Sequence, residues 1–144
     1  MSLTKKVKEY FIEAIEMYKV NDEGQFPNDI HERTRVSRVA HYLSQLIKND
    51  IDFIGYSVDV EYNRRGLEIK RTGEGDLLLP DLIVHKRKSE DQNNLLYVEF
   101  KNSNNSCADI SRIREMTDQN GRYKYLLGCF VRFDKLDSLE WFKQ

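Results

Sequence analysis

Apolar residues recur at helical spacing from the start of the chain. Val7, Tyr10, Phe11, Ala14, Ile15 and Tyr18 fall on one face with Lys and Glu between them, predicting an amphipathic helix over about residues 5–20. Asn21-Asp22-Glu23-Gly24 stops it, and Pro27 sits in the connection. A second stripe, Val36, Val39, Ala40, Leu43, Leu46 and Ile47, predicts a helix from about Ile30 to Lys48. From Ile51 to Arg64 the period drops to two. Tyr56, Val58, Val60 and Tyr62 alternate with Ser57, Asp59, Glu61 and Asn63, as in a half-buried antiparallel strand. Turn-like stretches, Arg64-Arg65-Gly66 and Arg71 to Gly75, bracket a short Leu67–Lys70 segment.

Two apolar runs follow, Leu77 to Val84 and Leu95 to Lys101, which read as strands joined by a polar turn. Ser106 and Asp109 form a capping box for a helix with Ile110, Ile113 and Met116 inward, and Asn120-Gly121 ends it. A strand over Tyr123–Phe133 and a short closing helix over about residues 136–142 complete the pattern. The first strands suit a meander, and strand-helix-strand near the end requires a crossover connection. The expected architecture is one α/β (α+β) domain over residues 1–144, a mixed sheet flanked by helices, with core order α-β-β-β-α-β.

Composition narrows the function classes. A chain of 144 residues with 40% apolar content supports a single core, and no apolar run spans a membrane. One-third of the residues are charged, yet the net charge is −1, so any basic footprint must be local. Two cysteines without CxxC spacing and three histidines argue against a disulfide framework or a Cys/His zinc site. A cytoplasmic protein is expected, with no secretory signal at its start.

The apolar runs carry charges that a core strand does not want. Asp81 follows Pro80, and Glu99 and Lys101 alternate so as to share one face of their strand. Such charges are costly unless they pair or bind a metal. A proline inside a strand marks an edge, bulge or bend, which would splay the chain where Asp81 sits. Glu32 lies one turn before Val36, at the head of the second helix's apolar face. Two readings compete for it. In one, Asp29 caps the helix and Glu32 reaches back from the N3 position, which the Asp29-x-x-Glu32 spacing favours for this helix alone. In the other, Glu32 points to the same site as Asp81 and Glu99.

Pro80-Asp81 followed 18 positions later by Glu99-Phe100-Lys101 resembles the signature of the PD-(D/E)xK nuclease superfamily, which has the restriction-endonuclease-like fold. The element order resembles that superfamily's core over roughly Ile30 to Phe133, and PDLIVHKR with LLYVEFK is similar to its small members. The motif is short and degenerate, so agreement with strand placement and element order carries the likeness. It implies a Mg²⁺-dependent (or Mn²⁺-dependent) nuclease acting on nucleic acid, DNA before RNA. Asp81, Glu99, the Phe100 backbone carbonyl and Glu32 would hold the metal. Hard divalent ions prefer such oxygen ligands, activate water and neutralise developing charge. Lys101, held charged between two carboxylates, suits positioning and electrostatic stabilisation better than proton abstraction.

The competing explanation of the trio is a structural ion pair at a strand end. Any one of its members alone favours that explanation; the three together on adjacent apolar strands favour a site. Arg64, Arg65, His85, Lys86, Arg87 and Lys88 are candidates for phosphate contacts, with Lys70 and Arg71 beside them, among acids that make a mixed surface an equal reading. His31 and His41 lack partners at metal-ligand spacing, and Cys107 and Cys129 carry no redox motif. A catalytically silent nucleic-acid-binding module, or an interaction subunit of a homodimer or larger complex, are the alternative functions.

Overall fold

The computed structural model describes residues 1–27, 30–62, 64, 65, 68, 69, 80–88, 93–102 and 107–143. Helix α1 (Leu3–Asn21) is capped by the Ser2 hydroxyl, which accepts from the Lys5 amide at 3.2 Å. It buries Val7, Phe11, Ala14, Ile15 and Tyr18, the predicted stripe apart from partly buried Tyr10. Helix α2 (Glu32–Lys48) buries Val36, Val39, Tyr42, Leu43 and Ile47. It begins two residues later than predicted. Glu32 is therefore its first residue and His31 its N-cap, and the Glu32 side chain is not at the N3 position. Asp29, the predicted cap, lies outside the described residues.

Strands β1 (Ser57–Val60), β4 (Leu82–His85), β5 (Asn94–Lys101), β6 (Leu127–Arg132) and β7 (Glu140–Phe142) form one sheet in the order β1-β4-β5-β6-β7. A separate two-stranded ribbon pairs β2 (Arg64–Arg65) with β3 (Glu68–Ile69). β1, β4 and β5 are antiparallel neighbours. After β5 the chain crosses through α3 (Cys107–Thr117), and β6 lies parallel to β5. The predicted Leu77–Leu79, Leu67, Lys70 and Ser106 lie outside the described residues. Among the described residues no helix is long and apolar enough to cross a membrane.

The predicted closing helix over 136–142 is instead led by turns into β7, whose Trp141 and Phe142 pair with Cys129 and Gly128. Period two explains the choice. Trp141 and Phe142 point to opposite faces of the sheet. Trp141 packs edge-on against Phe11 at 5.9 Å, and Phe142 packs against the core under α3.

That alternation divides the interior into two layers. Leu82, Val84, Leu96, Val98 and Phe100 face α1 and α2, whereas Ile83, Tyr97 and Phe130 face Ile113 and Met116 of α3. Gly128 lets α3 approach closely, since a Cβ there would stand 2.5 Å from Ile113 Cγ2 and 2.9 Å from Thr117 Cγ2. Glu99 and Lys101 share the parity of Tyr97, so both are directed to the α3 side.

Candidate functional site

The β4–β5 ladder runs from His85↔Asn94 to Leu82↔Val98 and stops short of Pro80. Two more steps of the same register would set Pro80 opposite Phe100. Proline has no N–H to donate, so the ladder cannot continue there. The Pro80 carbonyl instead accepts from the Glu61 amide at 2.9 Å. The freed Phe100 amide donates to Asp81 Oδ2 at 2.7 Å. Phe133 N–H bonds the Lys101 carbonyl at 2.8 Å, so Lys101 faces β6 and the Phe100 backbone groups face the β4 side. The Phe100 carbonyl oxygen there lacks the ladder donor that a non-proline residue would supply.

Asp81 and Glu99 meet across this break. One step beyond Leu82↔Val98 the register sets Asp81 opposite Glu99, and the Glu99 charge bears on the Asp81 carboxyl. Burial and then the charge of Glu99 push the Asp81 carboxyl up to about 8, against the pull of the Phe100 amide. Glu99 is also raised, chiefly by burial; hydrogen bonds from Tyr97 and Arg112 oppose this. Tyr97 O–H donates to Glu99 Oε2 at 2.5 Å, and Arg112 Nη1 donates to the same oxygen at 3.1 Å.

Lys101 follows on the same face, 3.5 Å from Asp109 Oδ2, and Arg112 Nη1 lies 3.5 Å from Asp109 Oδ1. A line of ion pairs therefore runs Lys101–Asp109–Arg112–Glu99, with Asp81 opposite its end. Glu32 approaches from the opposite side. It lines a pocket of about 220 Å³ together with Asp81, His31, Arg33 and Glu61. Burial and then the Asp81 charge raise its pKa, while Lys101 and the Asn102 amide oppose the rise. As the first residue of α2, Glu32 is not at the N3 position that the capping alternative required.

No family model, curated protein or solved structure matches the chain. What the chain does must be argued from these side chains themselves.

Among the described residues no three His, Cys, Asp or Glu side chains stand where they hold one metal ion together. Glu32 therefore does not complete a three-carboxylate cluster with Asp81 and Glu99. The oxygens that remain as candidate ligands are those of Asp81, Glu99 and the Phe100 carbonyl, all hard donors. That set suits Mg²⁺ or Mn²⁺, ions that retain several waters and need few protein ligands.

The expected phosphate-contacting cations divide. His85 is buried, with Nε2 2.8 Å from Asp59 Oδ2, so it is no surface contact. Arg87 is exposed but is committed to both oxygens of Asp59. Burial works against ionised Asp59, yet His85 and Arg87 outweigh it and lower the carboxyl's pKa. Lys86 stacks its ammonium over Tyr56, and Lys88 is exposed. The side chains of Arg64 and Arg65 lie outside what the structure describes.

Sequence reasoning passed over three members of the site. By pattern alone Tyr97 suits strand packing and Asp109 a capping box, and Arg112 stands out in neither period. The signal was present, because Asp109, Arg112, Ile113 and Met116 occur at i, i+3, i+4 and i+7. They fall on one helical stripe whose first two members are charged, with Arg112 at its partly exposed edge.

Proposed function

We propose that this chain is a divalent-cation-dependent nuclease that hydrolyses phosphodiester bonds in nucleic acid, with DNA as the favoured substrate and a cytoplasmic location. The observation that carries this reading is the opposition of Asp81 and Glu99 across the end of β4 and β5, with Lys101 two residues on along the same face. The same arrangement supports kinship with the PD-(D/E)xK nucleases.

Asp81, Glu99 and the Phe100 carbonyl would hold Mg²⁺ or Mn²⁺. When bound, the ion acidifies a water and offsets charge growing on the phosphate. Lys101, tethered by Asp109 and partly exposed, places its ammonium beside the carboxylates, where it stabilises the pentacovalent phosphate. Glu32 lines the neighbouring pocket with Asp81, where its carboxylate accepts a hydrogen bond from the attacking water and orients it.

The Arg112–Glu99 pair favours a second reading, a silent nuclease-like module that binds nucleic acid or protein, since the guanidinium already neutralises one ligand. One experiment separates the two. Supercoiled plasmid, linear DNA, single-stranded DNA and RNA are incubated with the chain and Mg²⁺ or Mn²⁺, beside Asp81→Ala and Lys101→Ala. The nuclease reading expects cleavage by the parent chain alone. No cleavage of any substrate, or equal cleavage by both variants, contradicts it.

A further inference from the structure

Glu99 is sealed on nearly every side. Its side chain is 2% exposed, beneath fully buried Tyr97 and against the Arg112 guanidinium. A hydrated cation cannot reach such a carboxylate unless a covering group moves. Tyr97 is fixed, because its ring packs edge-to-face on buried Tyr125 at 5.4 Å within the core beneath α3. Arg112 differs, since it sits on the helix surface with 34% of its side chain exposed. Arg112 also supplies what an ion would supply, a positive charge and donors to Glu99 and Asp109.

We propose that Arg112 is a built-in counter-cation, which occupies the cation's place against Glu99 and must swing outward when a divalent ion binds. The inference rests on the proposed metal site. The guanidinium keeps the site neutral and closed in the absence of the ion. Asp109, which also faces Lys101, keeps hold of Arg112 after the swing. The ion and Arg112 then bind Glu99 in competition, so the affinity for the ion is weaker than the two carboxylates alone would give.

The test is Mn²⁺ binding, followed by electron paramagnetic resonance and by calorimetry, in the parent chain, Arg112→Gln and Asp81→Asn. Removing one positive charge beside the site should tighten Mn²⁺ binding about tenfold in Arg112→Gln. The metal-free variant should melt at a lower temperature, and saturating Mn²⁺ should recover most of that loss. Equal or weaker binding in Arg112→Gln, with binding lost in Asp81→Asn, overturns the competition and leaves the metal site standing. Binding absent from the parent, or untouched by Asp81→Asn, overturns both. Should Arg112→Gln fail to fold, a Mg²⁺ titration of the parent chain followed by arginine side-chain ¹⁵N–¹H spectra decides. Competition requires one protected guanidinium signal to lose its protection as the ion binds, and an unchanged signal refutes it.

Discussion

The Phe100 amide donates to the Asp81 carboxylate at 2.7 Å, in the place where the β4–β5 ladder would continue if residue 80 were not proline. One missing N–H thus does three things. It ends the ladder, turns a carboxylate into the gap and strips the Phe100 carbonyl of a ladder donor. Asp81 meets Glu99 for that reason.

Replacing Asp81 by Asn keeps the shape and removes the charge. Cleavage should fall more than about 100-fold, since an ion ligand is lost. The metal-free chain should nevertheless become more stable, because the amide can donate to Glu99 without repelling it. At pH 8 the gain should be about 1–2 kcal/mol. Thermal melting would show this as roughly 3–6 °C. A lower melting temperature would mean that the Asp81 charge stabilises the fold.

The pH dependence follows with a definite sign. Asp81 is raised in the fold from its usual carboxylate value to about 8, so the folded chain holds a proton that the unfolded chain releases. Stability is full below about pH 4 as far as this group goes, and it is lost as pH climbs toward 8. Divalent-ion affinity should run the other way, rising between pH 6 and 8 as the Asp81 carboxyl ionises, then levelling. Titrations of melting temperature and Mn²⁺ affinity across pH 5–9 check both trends, and Asp81→Asn should flatten them.

Much of this was readable from the residues. The helical stripes of α1 and α2 and the charged strand pair are visible because periods of 3.6 and 2 separate cleanly there. The closing segment was not. Leu136 and Leu139 suit a helix, yet Trp141 and Phe142 are adjacent aromatics that can enter two different cores only from a strand. At the site, Asp81, Glu99 and Lys101 stood out as charges among apolar neighbours. Arg112 did not, because its meaning depends on α3 lying across β5, a contact set by tertiary packing over Gly128.

Lys101 offers a separation of chemistry from stability. Its side chain is 40% exposed and its contact to Asp109 is long, so Lys101→Ala should change stability by less than about 0.5 kcal/mol. Mn²⁺ affinity should hold or tighten. Cleavage should fall about 10²–10³-fold, as for loss of one group that stabilises transition-state charge. A strand-end ion pair without a catalytic role would leave cleavage untouched.

Gly128→Ala probes the seat of α3. The added methyl meets Ile113 and Thr117 side chains closer than real Cβ contacts allow, so those side chains or α3 itself must shift. We expect a loss of about 1–3 kcal/mol in urea unfolding. Cleavage should drop as well, since Asp109 and Arg112 move with the helix. Full activity in a folded variant would show that α3 does not position the site.

The central claim is that Asp81 and Glu99 together hold a divalent ion. Anomalous diffraction from crystals soaked in Mn²⁺ tests it most directly. The account predicts one strong peak between the two carboxylates, within about 2.0–2.4 Å of an oxygen of each and of the Phe100 carbonyl. Density elsewhere only, or Arg112 still bonded to Glu99 at saturating Mn²⁺ with nothing between the carboxylates, would contradict it.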